Sequence, residues 1–193
     1  MFSSFFSTML LLNFIQANEH IQFSLGPNYS SYQFFQDSSA AQGKWHWGGE
    51  IGIINIIPNI GLKIRAAKLS YEIEQGAYTY EYTPLTLCTS FNLLPFLKID
   101  WLTLSGETGF GVYFWRGLYN SAIRLLSTSE KVDEKDLGFV AGATLQLKPI
   151  KHIGIEFMTR YNYIASADID KYGYSDKDEK IWENGLGLKI IVP

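Results

Sequence analysis

Residues 153–163 read Ile-Gly-Ile-Glu-Phe-Met-Thr-Arg-Tyr-Asn-Tyr, and the odd positions are mainly apolar. The even positions carry Gly154, Glu156, Arg160 and Asn162 among them. A period of two is typical of a β-strand, whose side chains point alternately to opposite faces. Residues 102–112 and 182–192 alternate in the same way. Because charges and glycines recur on the second face, the pattern indicates a barrel that is apolar outside and polar inside.

The composition agrees with a membrane β-protein of one domain. Of the 193 residues, 18% are charged and 16% are aromatic, whereas about a quarter of residues are charged in soluble domains. A surface that faces lipid needs fewer charges. The net charge of −3 gives no electrostatic reason to expect nucleic acid as a partner. Cys88 is the sole cysteine, which excludes an internal disulfide.

The amino-terminal segment is strongly apolar. Residues 1–17 include a run of leucines and several phenylalanines and end in Ala17. This composition predicts a secretory signal peptide that is removed after Ala17. We therefore expect residues 18–193 to form a single barrel domain.

Period and turn residues together predict eight strands. They lie at about 20–26, 46–57, 60–74, 77–92, 100–115, 137–148, 152–164 and 181–192. Short connections with proline, at 57–60, 94–98 and 148–151, alternate with long polar ones at 26–45, 116–136 and 165–180. One exception is Gln75-Gly76, which predicts a tight turn at the end that carries the long loops. This alternation is typical of antiparallel outer-membrane barrels, which have short turns at one end and long loops at the other. The predicted fold is all-β, a closed antiparallel up-and-down transmembrane β-barrel of about eight strands.

The inward face of such a barrel would carry a set of charges with both signs. An eight-stranded barrel is just wide enough to be filled by its own side chains, and buried charges are tolerated when they are paired. We therefore predict a structural lumen charge network without a wide pore, formed by Glu50, Lys63, Arg65, Glu107, Glu156, Arg160, Glu183 and Lys189. The alternation changes parity near residues 66–67 and 83–84, which predicts a β-bulge at each place.

Aromatic residues cluster where the predicted strands meet the long connections. Amphipathic rings are enriched at the two membrane–water interfaces. The expected aromatic girdle consists of Trp45, Trp47, Tyr78, Tyr80, Trp115, Tyr161, Tyr163 and Trp182.

Two alternatives to a non-enzymatic barrel remain open. His46 lies near Asp37, Ser38, Ser39 and Glu50 in the sequence, and a Ser/His/acid group could support a lipid-modifying enzyme. A soluble lipocalin-like barrel that binds a ligand is the other alternative, and it requires an apolar interior and a polar exterior. No spacing typical of metal ligands occurs, so we expect neither a metal nor a cofactor and assign no catalytic residue.

Several segments resemble a known family. They are Ile-Gly-Leu-Lys-Ile-Arg at 60–65, Tyr-Glu-Tyr-Thr-Pro-Leu at 80–85, Leu-Lys-Pro at 147–149, Gly-Ile-Glu-Phe at 154–157 and Arg-Tyr at 160–161. In these, and over essentially all of residues 18–193, the chain resembles the small bacterial outer-membrane β-barrel proteins, the OmpX-like and OmpA-type eight-stranded group. It departs from them by ending in Val-Pro and not in an aromatic residue.

The resemblance implies a bacterial outer-membrane location and a non-enzymatic role. Members of this group serve envelope structure, or they adhere or bind through long extracellular loops. The resemblance therefore implies contact with outer-membrane lipid, a possible extracellular ligand or surface, no cofactor and a monomeric state.

Overall fold

The computed structural model describes residues 21–36, 39–73, 78–97, 99–123, 129, 131–165 and 178–192. The predicted signal peptide, residues 1–17, lies outside this described part, so its cleavage stays a prediction. No helix within the described ranges is long and apolar enough to cross a membrane.

The described residues form eleven strand segments. In chain order they are β1 (Gln22–Gln36), β2 (Ser39–Gln42), β3 (His46–Ile57), β4 (Ile60–Ala67), β5 (Leu69–Ile73), β6 (Tyr78–Asn92), β7 (Leu102–Tyr119), β8 (Ala122–Ile123), β9 (Asp133–Ile150), β10 (Ile153–Ala165) and β11 (Glu179–Val192). Strand β5 continues β4 along the same edge of β6. The short strands β2 and β8 extend the sheet beside β1 and β7, respectively. Eight wall strands therefore make up the barrel.

The sheet closes on itself because β1 pairs with β11. All neighbouring strands are antiparallel, and each wall strand pairs with the next one in the chain. Residue partners can be traced around the barrel from Leu25 through Ile51, Ile64, Leu87, Phe110, Phe139, Tyr163 and Lys180 back to Phe35. The path returns to β1 further along the strand, and this stagger tilts the strands as closure requires. The predicted all-β closed barrel is confirmed.

The outer face of the barrel is apolar. Phe110, Leu137 and Ile51 are 73%, 70% and 66% exposed, and large apolar side chains are exposed on every wall strand. Apolar surface of this extent is rare on soluble monomers, but it is the expected lipid-facing surface of an outer-membrane barrel. A soluble lipocalin-like barrel, with a polar exterior, does not fit this arrangement.

The described strands do not carry the two predicted bulges. Strands β6 and β7 keep one register from Tyr78 to Asn92. Strands β4 and β5 hold the same register on β6 and separate only around Lys68. Pro84 lies opposite this break and has no N–H to donate to a ladder. The side chains of β6 therefore keep alternating, and the inward face changes from polar to aromatic near the loop end.

Candidate functional site: the barrel interior

The middle of the barrel interior holds a network of charged side chains from five strands. Arg160 on β10 donates from Nε to Glu107 Oε2 at 2.8 Å and from Nη2 to Glu50 Oε2 at 2.9 Å. Lys63 on β4 lies 2.6 Å from Glu107 Oε1. Lys189 on β11 lies 2.8 Å from Glu50 Oε1. Each of the two central carboxylates therefore faces an arginine and a lysine.

Glu156 joins this network from β10. Its carboxylate lies 3.4 Å from Lys189 Nζ and 3.7 Å from Lys63 Nζ. The side-chain amide of Gln146 donates to the same carboxylate at 3.4 Å. These distances are longer than those from Glu50 and Glu107 to their nearest cations, so Glu156 is the more loosely paired member of the network.

A second charged group lies nearer the loop end and is centred on Arg65. Its Nη1 donates to Glu183 Oε2 at 2.6 Å, and its Nη2 contacts the other oxygen of the same carboxylate. The same Nη2 donates to Asn28 Oδ1 and Ser30 Oγ, both at 3.0 Å. A bidentate pair of this kind fixes both orientation and charge. Arg65 thereby links strands β1, β4 and β11.

The structure thus places all the predicted network residues inside the barrel, as two groups. Seven of the eight residues are buried, and Lys63 is partly accessible. Four carboxylates face four cations, so the network has no formal net charge. Because isolated buried charges are very costly and paired ones are tolerated, the arrangement is suited to holding the wall strands together.

An aromatic cluster fills the interior between the Arg65 group and the loops. Its buried members are Tyr32, Phe34, Leu69, Tyr80, Tyr82, Tyr113, Trp115, Val132, Ile164 and Ile181. Tyr80 and Tyr82 lie with ring centroids 6.4 and 6.5 Å from that of Trp115. Tyr113 donates its hydroxyl to Asn162 Oδ1 at 2.8 Å. We call this group the aromatic plug.

The prediction of the aromatic girdle was wrong for two residues, which belong to the aromatic plug. Tyr80 and Trp115 were expected at the membrane interface, but they are only 8% and 2% exposed and point into the barrel. Their parity is the reason, because Tyr80 shares a face with Thr86 and Trp115 shares a face with Glu107. Counting alternate residues along each strand would have placed both side chains on the inward face.

The other girdle residues lie on the outer face. Trp45, Trp47 and Trp182 are 50%, 68% and 40% exposed, and Tyr161 and Tyr163 are partly exposed. The ring centroids of Tyr161 and Trp182 are 6.2 Å apart. The side chain of Tyr78 lies outside the described part of the chain. Their role at a membrane interface stays a prediction.

His46 contacts a serine that the sequence did not suggest. Its Nε2 lies 2.9 Å from Ser70 Oγ, and Ser70 is buried. Of the expected partners, Asp37, Ser38 and the side chain of Ser39 lie outside the described part of the chain, and Glu50 is paired with Arg160 and Lys189 in the lumen charge network. Within the described ranges there is no group of three or more His, Cys, Asp or Glu side chains arranged to hold a metal ion.

Comparison with known proteins gives structural likeness only. No protein-family model and no curated protein matches the chain. A major outer membrane protein from Thermus thermophilus aligns with a TM-score of 0.65 at 11% identity, over 90% of this chain and all of its own length. Neisserial surface protein A aligns with a TM-score of 0.61 at 10% identity, over 89% of this chain and 99% of its own.

A third likeness is to Ail, the attachment invasion locus protein of Yersinia pestis. Its complex with the heparin analogue sucrose octasulfate aligns with a TM-score of 0.56 at 16% identity, over 90% of this chain and 99% of its own. The chain has the fold of the small outer-membrane β-barrels. The predicted resemblance is therefore confirmed at the level of fold, and outer membrane proteins are among the structures that share this fold.

Proposed function

We propose that this protein is a non-enzymatic barrel of the bacterial outer membrane that serves envelope structure or adhesion through its long extracellular loops. The barrel acts as a rigid, filled support. Any specific binding lies in the loops that connect the wall strands at the end next to the aromatic plug.

The observation that carries this proposal is that the interior is filled at two levels. The paired charges around Arg160 occupy the middle, and the plug around Trp115 occupies the loop end. Larger barrels conduct because their lumen stays open to water, whereas eight-stranded barrels are filled by side chains. A filled barrel favours a structural or adhesive role over transport.

The charges in the loop sequences limit which target surfaces the protein could bind. Residues 165–180 contain five acidic and three basic residues, and residues 116–136 are balanced in formal charge. Ail has been solved with a sulfated heparin analogue, but a sulfated ligand requires a positive surface. The acidic 165–180 connection favours a target with neutral or positive charge.

A pair of measurements tests the proposal. Cells that display the full chain should attach to a host-cell or matrix surface, and replacing residues 166–177 with a Gly/Ser stretch should abolish the attachment. The purified barrel in a planar lipid bilayer should give no stable conductance steps. Steady channel openings in the wild-type protein, or attachment that every loop replacement leaves unchanged, would overturn the proposal.

One contact favours a second candidate function, which is hydrolysis of a membrane lipid. His46 lies within hydrogen-bonding distance of Ser70, as a general base and a nucleophile would. Two facts oppose it, because Ser70 is buried and Glu81, the nearby acid, is occupied by Lys68 and Arg116. Release of fatty acid from phospholipid by the wild type, lost in both His46→Ala and Ser70→Ala, would favour the enzyme.

A further inference from the structure

A cluster of charges lies on the outer face of the barrel at the loop end. Arg116 donates from Nε and Nη2 to Glu81 Oε2 at 2.8 and 2.7 Å. Lys68 lies 2.7 Å from the other oxygen, Glu81 Oε1. The side chains of Lys68 and Arg116 are 47% and 49% exposed, whereas that of Glu81 is 14% exposed. We call Lys68, Glu81 and Arg116 the outer cation cluster.

The cluster lies at the edge of the apolar surface. On β7, Phe110 and Phe114 are exposed on the same face as Arg116 and lie further from the loops. On β6, Leu85 and Leu87 occupy the corresponding positions beyond Glu81. Long basic side chains at this level can extend from an apolar surface towards the lipid headgroups.

The charge of the cluster is not balanced by its own acid. Both oxygens of Glu81 are occupied, one by each of two cations, so the three side chains keep a formal charge of +1. Lys135 lies next to them with its Nζ 5.8 Å from the ring centroid of Phe114. Asp133 lies opposite Arg116 in the β7–β9 register. With Lys135 and Asp133 included, this group of five side chains still keeps a formal charge of +1.

We propose that the outer cation cluster binds the phosphate group of a lipid in the membrane leaflet on the loop side. Arginine and lysine are the side chains that recognise phosphate oxygens best. The acyl chains of this lipid lie along the exposed face formed by Leu85, Phe110 and Leu137. A lipid phosphate fits better than free phosphate because that apolar face continues directly from the cluster. This inference concerns the barrel wall and is independent of what the loops bind.

The test measures how tightly phosphatidylglycerol stays bound to the detergent-purified barrel, by native mass spectrometry with added lipid. Lys68→Gln/Arg116→Gln should weaken binding about 25-fold, because each of the two basic residues near an anionic lipid accounts for about fivefold. The matched control is Lys44→Gln/Lys180→Gln. It removes two exposed lysines at the same end but outside the cluster, and it should change binding by less than about twofold.

A third variant is expected to strengthen lipid binding. Glu81→Gln removes the carboxylate that Lys68 and Arg116 share, so phosphatidylglycerol should bind about fivefold more tightly. Diacylglycerol, which lacks the phosphate, should bind weakly to every variant. Equal phosphatidylglycerol binding by wild type and Lys68→Gln/Arg116→Gln would overturn the proposal. Full displacement of the lipid by millimolar inorganic phosphate would also overturn it, since that result indicates a site for the free anion.

Discussion

Arg160 on β10 reaches Glu50 on β3 across the barrel interior, with 2.9 Å between Nη2 and Oε2. Strands β11 and β1 lie between these two strands in the wall. The contact therefore joins strands that share no backbone hydrogen bonds within the described barrel. The same guanidinium also holds Glu107 on β7. Arg160 therefore links three wall strands that are not neighbours, and it contributes to the stability of the closed barrel as a whole.

Removing Arg160 should therefore destabilise the barrel strongly. Arg160→Met leaves the Glu50 and Glu107 carboxylates buried with fewer cations, and we expect a loss of about 3–5 kcal/mol of unfolding free energy. Urea titration of the barrel in lipid vesicles, followed by tryptophan fluorescence, measures it. Lys44→Met is the control, because it breaks the exposed Lys44–Glu72 pair and should cost about 0–1 kcal/mol. Equal effects of the two substitutions would contradict the assigned role of the network.

The aromatic plug can be tested with two adjacent phenylalanines. Phe34 is fully buried in the plug, whereas Phe35 is 42% exposed on the outer face. Phe34→Ala should cost about 3–5 kcal/mol, since it leaves a cavity among packed rings. Phe35→Ala should cost clearly less, because no interior cavity forms. The readout is heat-modifiable migration in detergent gels, and the transition temperature should fall clearly more for Phe34→Ala than for Phe35→Ala.

The barrel could be predicted from the sequence because its signal is local. Alternation in residues 153–163 and the regular sequence of short and long connections both depend on near neighbours in the chain. The charges on the inward face followed from the same counting. Their partners did not, because Glu50 and Arg160 meet only when closure and strand stagger are known.

The aromatic plug escaped prediction for a different reason. Aromatic rings at strand ends near the loops can have two roles, as interface anchors outside the barrel or as packing inside it. The position of a ring along its strand does not distinguish these roles, whereas the face of the strand on which it lies does. Trp182 shares its face with Leu186 and points outward, while Trp115 shares its face with Glu107 and points inward. His46 and Ser70 likewise meet only through the tertiary fold.

The stability cost of a charge on the lipid-facing surface should depend on its depth in the membrane. Leu188 is 50% exposed on the outer face of β11. Leu188→Lys should cost about 2–4 kcal/mol if this residue lies near the membrane midplane. Gln33, which is opposite Trp182 at the loop end, provides the matched position, and Gln33→Lys should cost about 0–1 kcal/mol. Folding yield and urea stability in phospholipid vesicles measure both. If both variants were as stable as the wild type, the outer face would not lie in lipid.

Two strand glycines, Gly109 on the buried face and Gly49 on the exposed face of the wall, test how closely neighbouring strands pack. A Cβ at Gly109 on β7 would lie 2.6 Å from the Cα of Cys88 and closer still to the carbonyl oxygen of Leu87. Because these are backbone atoms of the paired strand, Gly109→Ala must displace the strand, and we expect a cost of about 1–3 kcal/mol. A Cβ at Gly49 would have no atom within 4 Å, so Gly49→Ala should stay within about 0.5 kcal/mol of the wild type. Urea unfolding of both variants measures the difference. Equal stability would show that β6 and β7 pack less closely than their register indicates.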